Sequence, residues 1–125
     1  MNLEKVIFGF FVVLAATLNF GFVIGDITDP AVHNSFELLA AIVVNLIATI
    51  LKFGDRTQLG AVHLATSLVA TLQLIAAGAI WVLADQAGMT AGEMASVVSF
   101  AAGALLANII SVILLISETI SFQRR

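Results

Sequence analysis

Four stretches of the chain hold no charged residue: positions 6–25, 38–51, 57–84 and 94–117. About 20 apolar residues in helical form cross a hydrocarbon core of roughly 30 Å, so three of the four are long enough as they stand. The second holds only 14 charge-free residues. Extending it to 34–54 places Glu37 and Lys52 near its two ends, where long side chains can reach the interface. The expected fold is an all-α membrane protein of four transmembrane helices, at about 4–25, 34–54, 57–84 and 91–122, in a single domain over 1–125. Composition agrees, with 61% hydrophobic and 10% charged residues against roughly 45–50% and about 25% in soluble domains. The first apolar run, of about 20 residues, exceeds the roughly 7–15 of a secretory signal, and is read as a retained helix.

The few charges give an orientation. All five basic residues, Lys5, Lys52, Arg56, Arg124 and Arg125, fall on one side of a four-span arrangement. The positive-inside rule then puts both termini in the cytoplasm. Asp26, Asp29, Glu37, Asp85 and Glu93 fall on the other side with no Lys or Arg among them. Topology alone can demand that bias. An acidic mouth that concentrates monovalent or divalent cations is the sharper reading, because clefts lined by one sign of charge focus potential.

Local signals mark the ends of the helices. Pro30 breaks helical continuation in "DITDPAVHN". Asn34 with Glu37, and Thr90 with Glu93, have the spacing of capping boxes. In "KFGDRTQ", Gly54 suits a left-handed position after the second helix, Lys52 the last-turn carbonyls, and Asp55 with Gln58 a cap on the third.

Inside the spans, polar residues fall at helical spacing. Glu37, Ala41, Asn45, Ala48 and Lys52 share one face of the second helix, and His63, Thr66, Ala70, Gln73 and Ala77 one face of the third. Ser99, Gly103, Ala107 and Ser111 form a small-residue face on the fourth, with Asn108 beside it. None of these faces can meet lipid, since an unpartnered amide in hydrocarbon costs on the order of 2–7 kcal/mol. Two readings stay open for Asn19, Asn45, Gln73 and Asn108: interhelical hydrogen bonds that fix register, or the lining of a hydrated path around the axis of a homo-oligomer. His63 carries the same choice between an interface bond and a proton relay. Glu118 is expected to form an ion pair near Arg124 and Arg125.

Several functions lose support here. The absence of cysteine excludes thiolate metal sites and thiol nucleophiles. Asp26, Asp29 and His33 offer ligands compatible with a divalent cation, but their spacing fits no metal motif. No Ser/His/Asp order, phosphate loop or HExxH pattern is present, so no enzyme, cofactor or nucleic-acid partner is expected.

"LNFGFVIGD" together with "AAIVVNLIATILKFGDRTQLGAV" resembles an uncharacterised family of small four-span proteobacterial inner-membrane proteins. The resemblance implies a location and no activity. Fluoride channels have a similar length, but their signature patterns are missing. Small multidrug transporters place an essential Glu in the first helix, where this chain has Asn19. The leading expectation is a homo-oligomeric, cation-preferring ion channel or channel-like protein. The alternative is a non-conducting accessory or scaffold subunit of a larger membrane transport or respiratory complex.

Overall fold

A computed structural model describes residues 3–25, 33, 35–54, 57–85 and 88–123. Four helices fill nearly all of it: α1 (Leu3–Val23), α2 (Ser35–Lys52), α3 (Gln58–Asp85) and α4 (Ala91–Gln123). Each is long and apolar enough to cross a membrane, as a multi-pass membrane protein requires. At 1.5 Å per residue α3 and α4 measure about 42 and 50 Å, beyond the roughly 30 Å of a hydrocarbon core, so both must tilt or protrude.

The helices run alternately up and down, and α1 packs on α2, α2 on α3, α3 on α4 and α4 back on α1. The ring is therefore closed, with a single interior. Near its terminal end, where α1 begins and α4 finishes, Lys5 pairs with Glu118 across the two helices. Glu118 thus takes its partner from α1, while Arg124 and Arg125 lie outside the described residues. The far end carries the α1–α2 and α3–α4 connections.

What lies inside and outside is the reverse of a soluble protein. Asn19, Asn45, His63, Ser67, Asn108 and Ser111 are buried, while Phe10, Leu72, Leu106 and Ile113 are more than half exposed. In water this perimeter would drive aggregation. In lipid it is the natural outer surface, and the polar residues must then find partners in the interior. Alanine makes close packing possible there. Ala41, Ala70, Ala77, Ala101 and Ala104 are completely buried around Phe22, Leu74, Met94 and Val97. A smaller cluster of Phe8, Val12 and Ala48 fills the terminal end.

The helix ends partly follow the sequence signals. Thr90 Oγ1 accepts the Glu93 backbone N–H at 3.1 Å, and the Glu93 carboxylate accepts the Thr90 N–H at 2.9 Å, a complete capping box. Thr90→Ala should fray the first turn of α4, seen as faster hydrogen exchange at the Glu93 amide with the rest of the helix unchanged. On α3 Thr57 caps the first turn, its hydroxyl accepting the Gly60 N–H at 2.9 Å. Gly54 is not left-handed. The positive-φ glycines among the described residues are Gly25 and Gly88, which bend the two connections at the far end. Asp55, Arg56 and Asn34 lie outside the described residues.

Candidate functional site

Each helix turns one amide inward, three of them buried and Gln73 half-buried with its Oε1 enclosed. Asn19 comes from α1, Asn45 from α2, Gln73 from α3 and Asn108 from α4. The three asparagines are 0, 1 and 3% exposed. Asn45, Gln73 and Asn108 each sit at the middle of their helix. Contacts between neighbours bring them to similar heights. Phe8 lies under Lys52 and Gly21 against Glu37, so Asn45 stands about level with Leu14. Lys5 meets Glu118 and Gly9 meets Leu115, which sets Asn108 near the level of Ala16. Phe8 meets His63 and Phe22 meets Trp81, which puts Gln73 near the same level. Asn19 is one turn further from the terminal end. At 1.5 Å per residue the four amides occupy a band about 8 Å thick.

Their bonding differs. Asn45 Nδ2 donates to the Ala41 carbonyl of its own helix at 2.8 Å. In contrast, both amide atoms of Asn19, together with Gln73 Oε1 and Asn108 Nδ2, are buried with no hydrogen-bond partner in the protein. Gln73 reaches this position because α4 has no side chain opposite it. A Cβ on Gly103 would stand 2.8 Å from both Gln73 amide atoms.

Hydroxyls continue the polar interior toward the terminal end. Thr49 donates to the Asn45 carbonyl at 2.8 Å. With that proton committed, Thr71 must donate to Thr49 Oγ1 across α2 and α3, at 3.1 Å. Thr66 likewise donates to the His63 carbonyl at 2.9 Å and accepts from Ser111 of α4 at 2.6 Å. These two cross-helix bonds, between hydroxyls and not the four amides, tie α3 to α2 and to α4.

Below them lies a cationic stack. Lys52 is 7% exposed, and its ammonium stands 4.2 Å from the centre of the Phe8 ring. The other neighbour of Phe8 is the buried His63 ring, edge-on at 5.1 Å. Lys52 is therefore an inward-facing residue as well as a last-turn cation on α2.

Of the acidic residues expected at the mouth, Glu37 and Glu93 stand at the far end, at the starts of α2 and α4. Glu37 is half-buried with its carboxylate against the bare backbone of Gly21. Glu93 serves the α4 cap. Asp26 and Asp29, and the side chain of Asp85, lie outside the described residues. His33, a candidate metal ligand, is buried on Phe22, and its Nδ1 donates to the Phe22 carbonyl. No group of three metal-binding side chains occurs among the described residues.

The predicted stripes turn inward for most of their length, but Ser99, at the start of the α4 stripe, is exposed, and Glu37, Thr66, Gln73 and Gly103 are only half-buried. Ala41, Asn45, Ala48 and Lys52 of α2, His63, Ala70 and Ala77 of α3, and Ala107 and Ser111 of α4 are buried within one chain. A path around an axis between copies would run past the perimeter instead, where Leu, Ile, Val and Phe dominate. Thr49 and Thr71 are interior residues that stripe spacing does not single out. Outside, between α2 and α3 on the side of the far end, lies an open apolar groove of about 830 Å³, lined by Leu38, Ile42, Ile75, Gly78, Trp81 and Val82.

The profile of a family of unknown function, DUF6394, matches residues 32–119. The chain belongs to this family. Membership agrees with the resemblance to an uncharacterised family carried by "AAIVVNLIATILKFGDRTQLGAV" and adds no activity to it. The DUF6394 match takes in Asn45, Gln73 and Asn108, and leaves out α1 with Asn19. No curated protein and no solved structure matches the chain.

Proposed function

We propose that this DUF6394 protein is a small channel-like protein of the bacterial inner membrane, with both termini cytoplasmic, that passes a proton or a monovalent cation along the interior of its own bundle. The observation that carries the reading is the band of four inward-turned amides, one from each helix, with unpartnered polar atoms on three of them. Side-chain oxygens and hydroxyls in such a band can replace part of an ion's hydration shell. The acidic far end supplies the cation preference, and the Lys52 and His63 stack is the barrier at the cytoplasmic end. Assembly as a homo-oligomer remains part of the proposal, with each copy carrying its own path.

Flux of protons, Na⁺ and K⁺ into liposomes tests it. The wild-type protein should conduct at least one of these selectively, and Asn45→Leu should abolish conduction while circular dichroism and elution volume stay unchanged. Equal flux in the variant would remove Asn45 from the path.

The groove between α2 and α3 favours a second reading, a non-conducting subunit of a larger membrane complex that receives a partner's transmembrane helix there. Under that reading the purified protein is silent toward every ion and gentle detergent extraction yields a stoichiometric partner.

A further inference from the structure

The unpartnered interior atoms are of both polarities. Asn19 has its amide nitrogen and its amide oxygen buried without a partner, so exchanging the two ends of that amide changes nothing. Asn108 Nδ2 adds a donor and Gln73 Oε1 an acceptor. As a resident of the site, rather than an ion in passage, a metal cation would serve the oxygens but leave the N–H groups unmatched, and a resident anion would fail in the opposite way. Water both donates and accepts. It also avoids bringing an unpaired charge among neutral groups at low dielectric, which is far costlier than placing a neutral molecule there.

The positions suit bridging. Gln73 lies against Gly103. The register of α1 on α4 sets Asn19 level with about Ala104, and Asn108 follows one turn along the same buried face as Ala104. The three side chains therefore converge within about a turn and a half of the bundle axis. Buried waters typically make about three hydrogen bonds each, so four unpartnered atoms call for roughly two molecules.

We infer that Asn19, Gln73 and Asn108 form a binding site for a small cluster of ordered water molecules in the middle of the membrane, held inside one copy of the chain. The inference goes beyond conduction: a sealed bundle with the same amides would need the same waters.

Solid-state NMR of the whole protein in liposomes tests it, with ¹⁵N in asparagine, glutamine, leucine and isoleucine and magnetisation transferred from water protons. The Asn19 and Asn108 side-chain signals should build up several-fold faster than the backbone amides of Leu106 and Ile110, which stand at a similar depth on the lipid-facing side of α4. In the Asn19→Leu, Asn108→Leu double variant the fast build-up at the Gln73 side chain should be lost. The inference is overturned if the wild-type Asn19 and Asn108 signals lag with Leu106 and Ile110, because the amides then bond to one another or to helix carbonyls as Asn45 does. The wild-type comparison decides this even if the double variant fails to fold. Fast transfer in a protein that carries no ion would support the waters and remove the conduction proposal.

Discussion

Asn19→Leu should make the bundle more stable and stop it conducting. Both atoms of the Asn19 amide are buried without a protein partner, so the native state must hold ordered water against them, and replacing a buried polar group and its partner by an apolar side chain of the same shape is nearly neutral or stabilising. Leucine has a similar branched shape, and its larger volume can take the room of the one water held at Asn19, leaving the other on Gln73 and Asn108. Releasing ordered water adds up to about 2 kcal/mol of entropy per molecule. The expected gain is about 1–2 kcal/mol, read as a higher melting temperature in detergent, together with loss of flux in liposomes. Thr71→Val provides the contrast. It removes a hydroxyl that bonds Thr49 across α2 and α3 and should lower stability by about 1 kcal/mol. If the amides were glue, both substitutions would destabilise. A lower melting temperature for Asn19→Leu would therefore place Asn19 with the threonines.

Lys52→Met should raise cation flux by more than an order of magnitude. The ammonium is buried over the Phe8 ring at the terminal end of the interior, where a passing cation must come close to it. Two unit charges about 8 Å apart at an effective dielectric of about 20 repel by about 2 kcal/mol, which corresponds to about thirty-fold in rate. Methionine preserves the apolar stem that packs on Phe8, so fold and elution volume should remain those of the wild type. Lys52→Arg retains the charge and should leave flux low. Equal cation flux in the wild type and Lys52→Met would take Lys52 out of the path.

The spans are legible in the sequence because absence of charge over about 20 residues has one stable outcome in lipid. Helix boundaries are legible where one pair of residues can make the cap. Thr90 and Glu93 have no competitor. At "KFGDRTQ" both Asp55 and Thr57 could cap α3, and local sequence cannot choose between them; the bond to Gly60 shows Thr57 in the role. The inward faces follow from helical periodicity, which places Asn45, Gln73, Asn108 and Ser111 on the correct sides.

Lateral order is hidden. Whether the polar faces converge within one chain or between copies depends on α4 closing against α1, and no pattern in either helix announces that. The same gap conceals the stack at Lys52. Its charge at the end of α2 suggests a snorkelling or capping residue, and only the placement of Phe8 beside it shows an ammonium held inside. Thr49 escapes the stripe because it sits one position from Ala48, and Thr71 because it falls between the stripe positions Ala70 and Gln73.

The central claim is that the interior of a single bundle, and no surface between copies, is the wet part of this protein. The chain contains no cysteine, so any introduced thiol is the sole reactive one, and a thiol facing lipid stays protonated and inert toward water-soluble reagents. The most direct measurement is therefore the labelling rate of Asn45→Cys and Asn108→Cys by a small charged thiol reagent in liposomes, compared with Leu106→Cys and Ile110→Cys on the perimeter. Rapid labelling at positions 45 and 108, with block of flux and silence at 106 and 110, is the predicted result. Labelling at the perimeter with an unreactive interior would contradict it and move the path to an interface between copies.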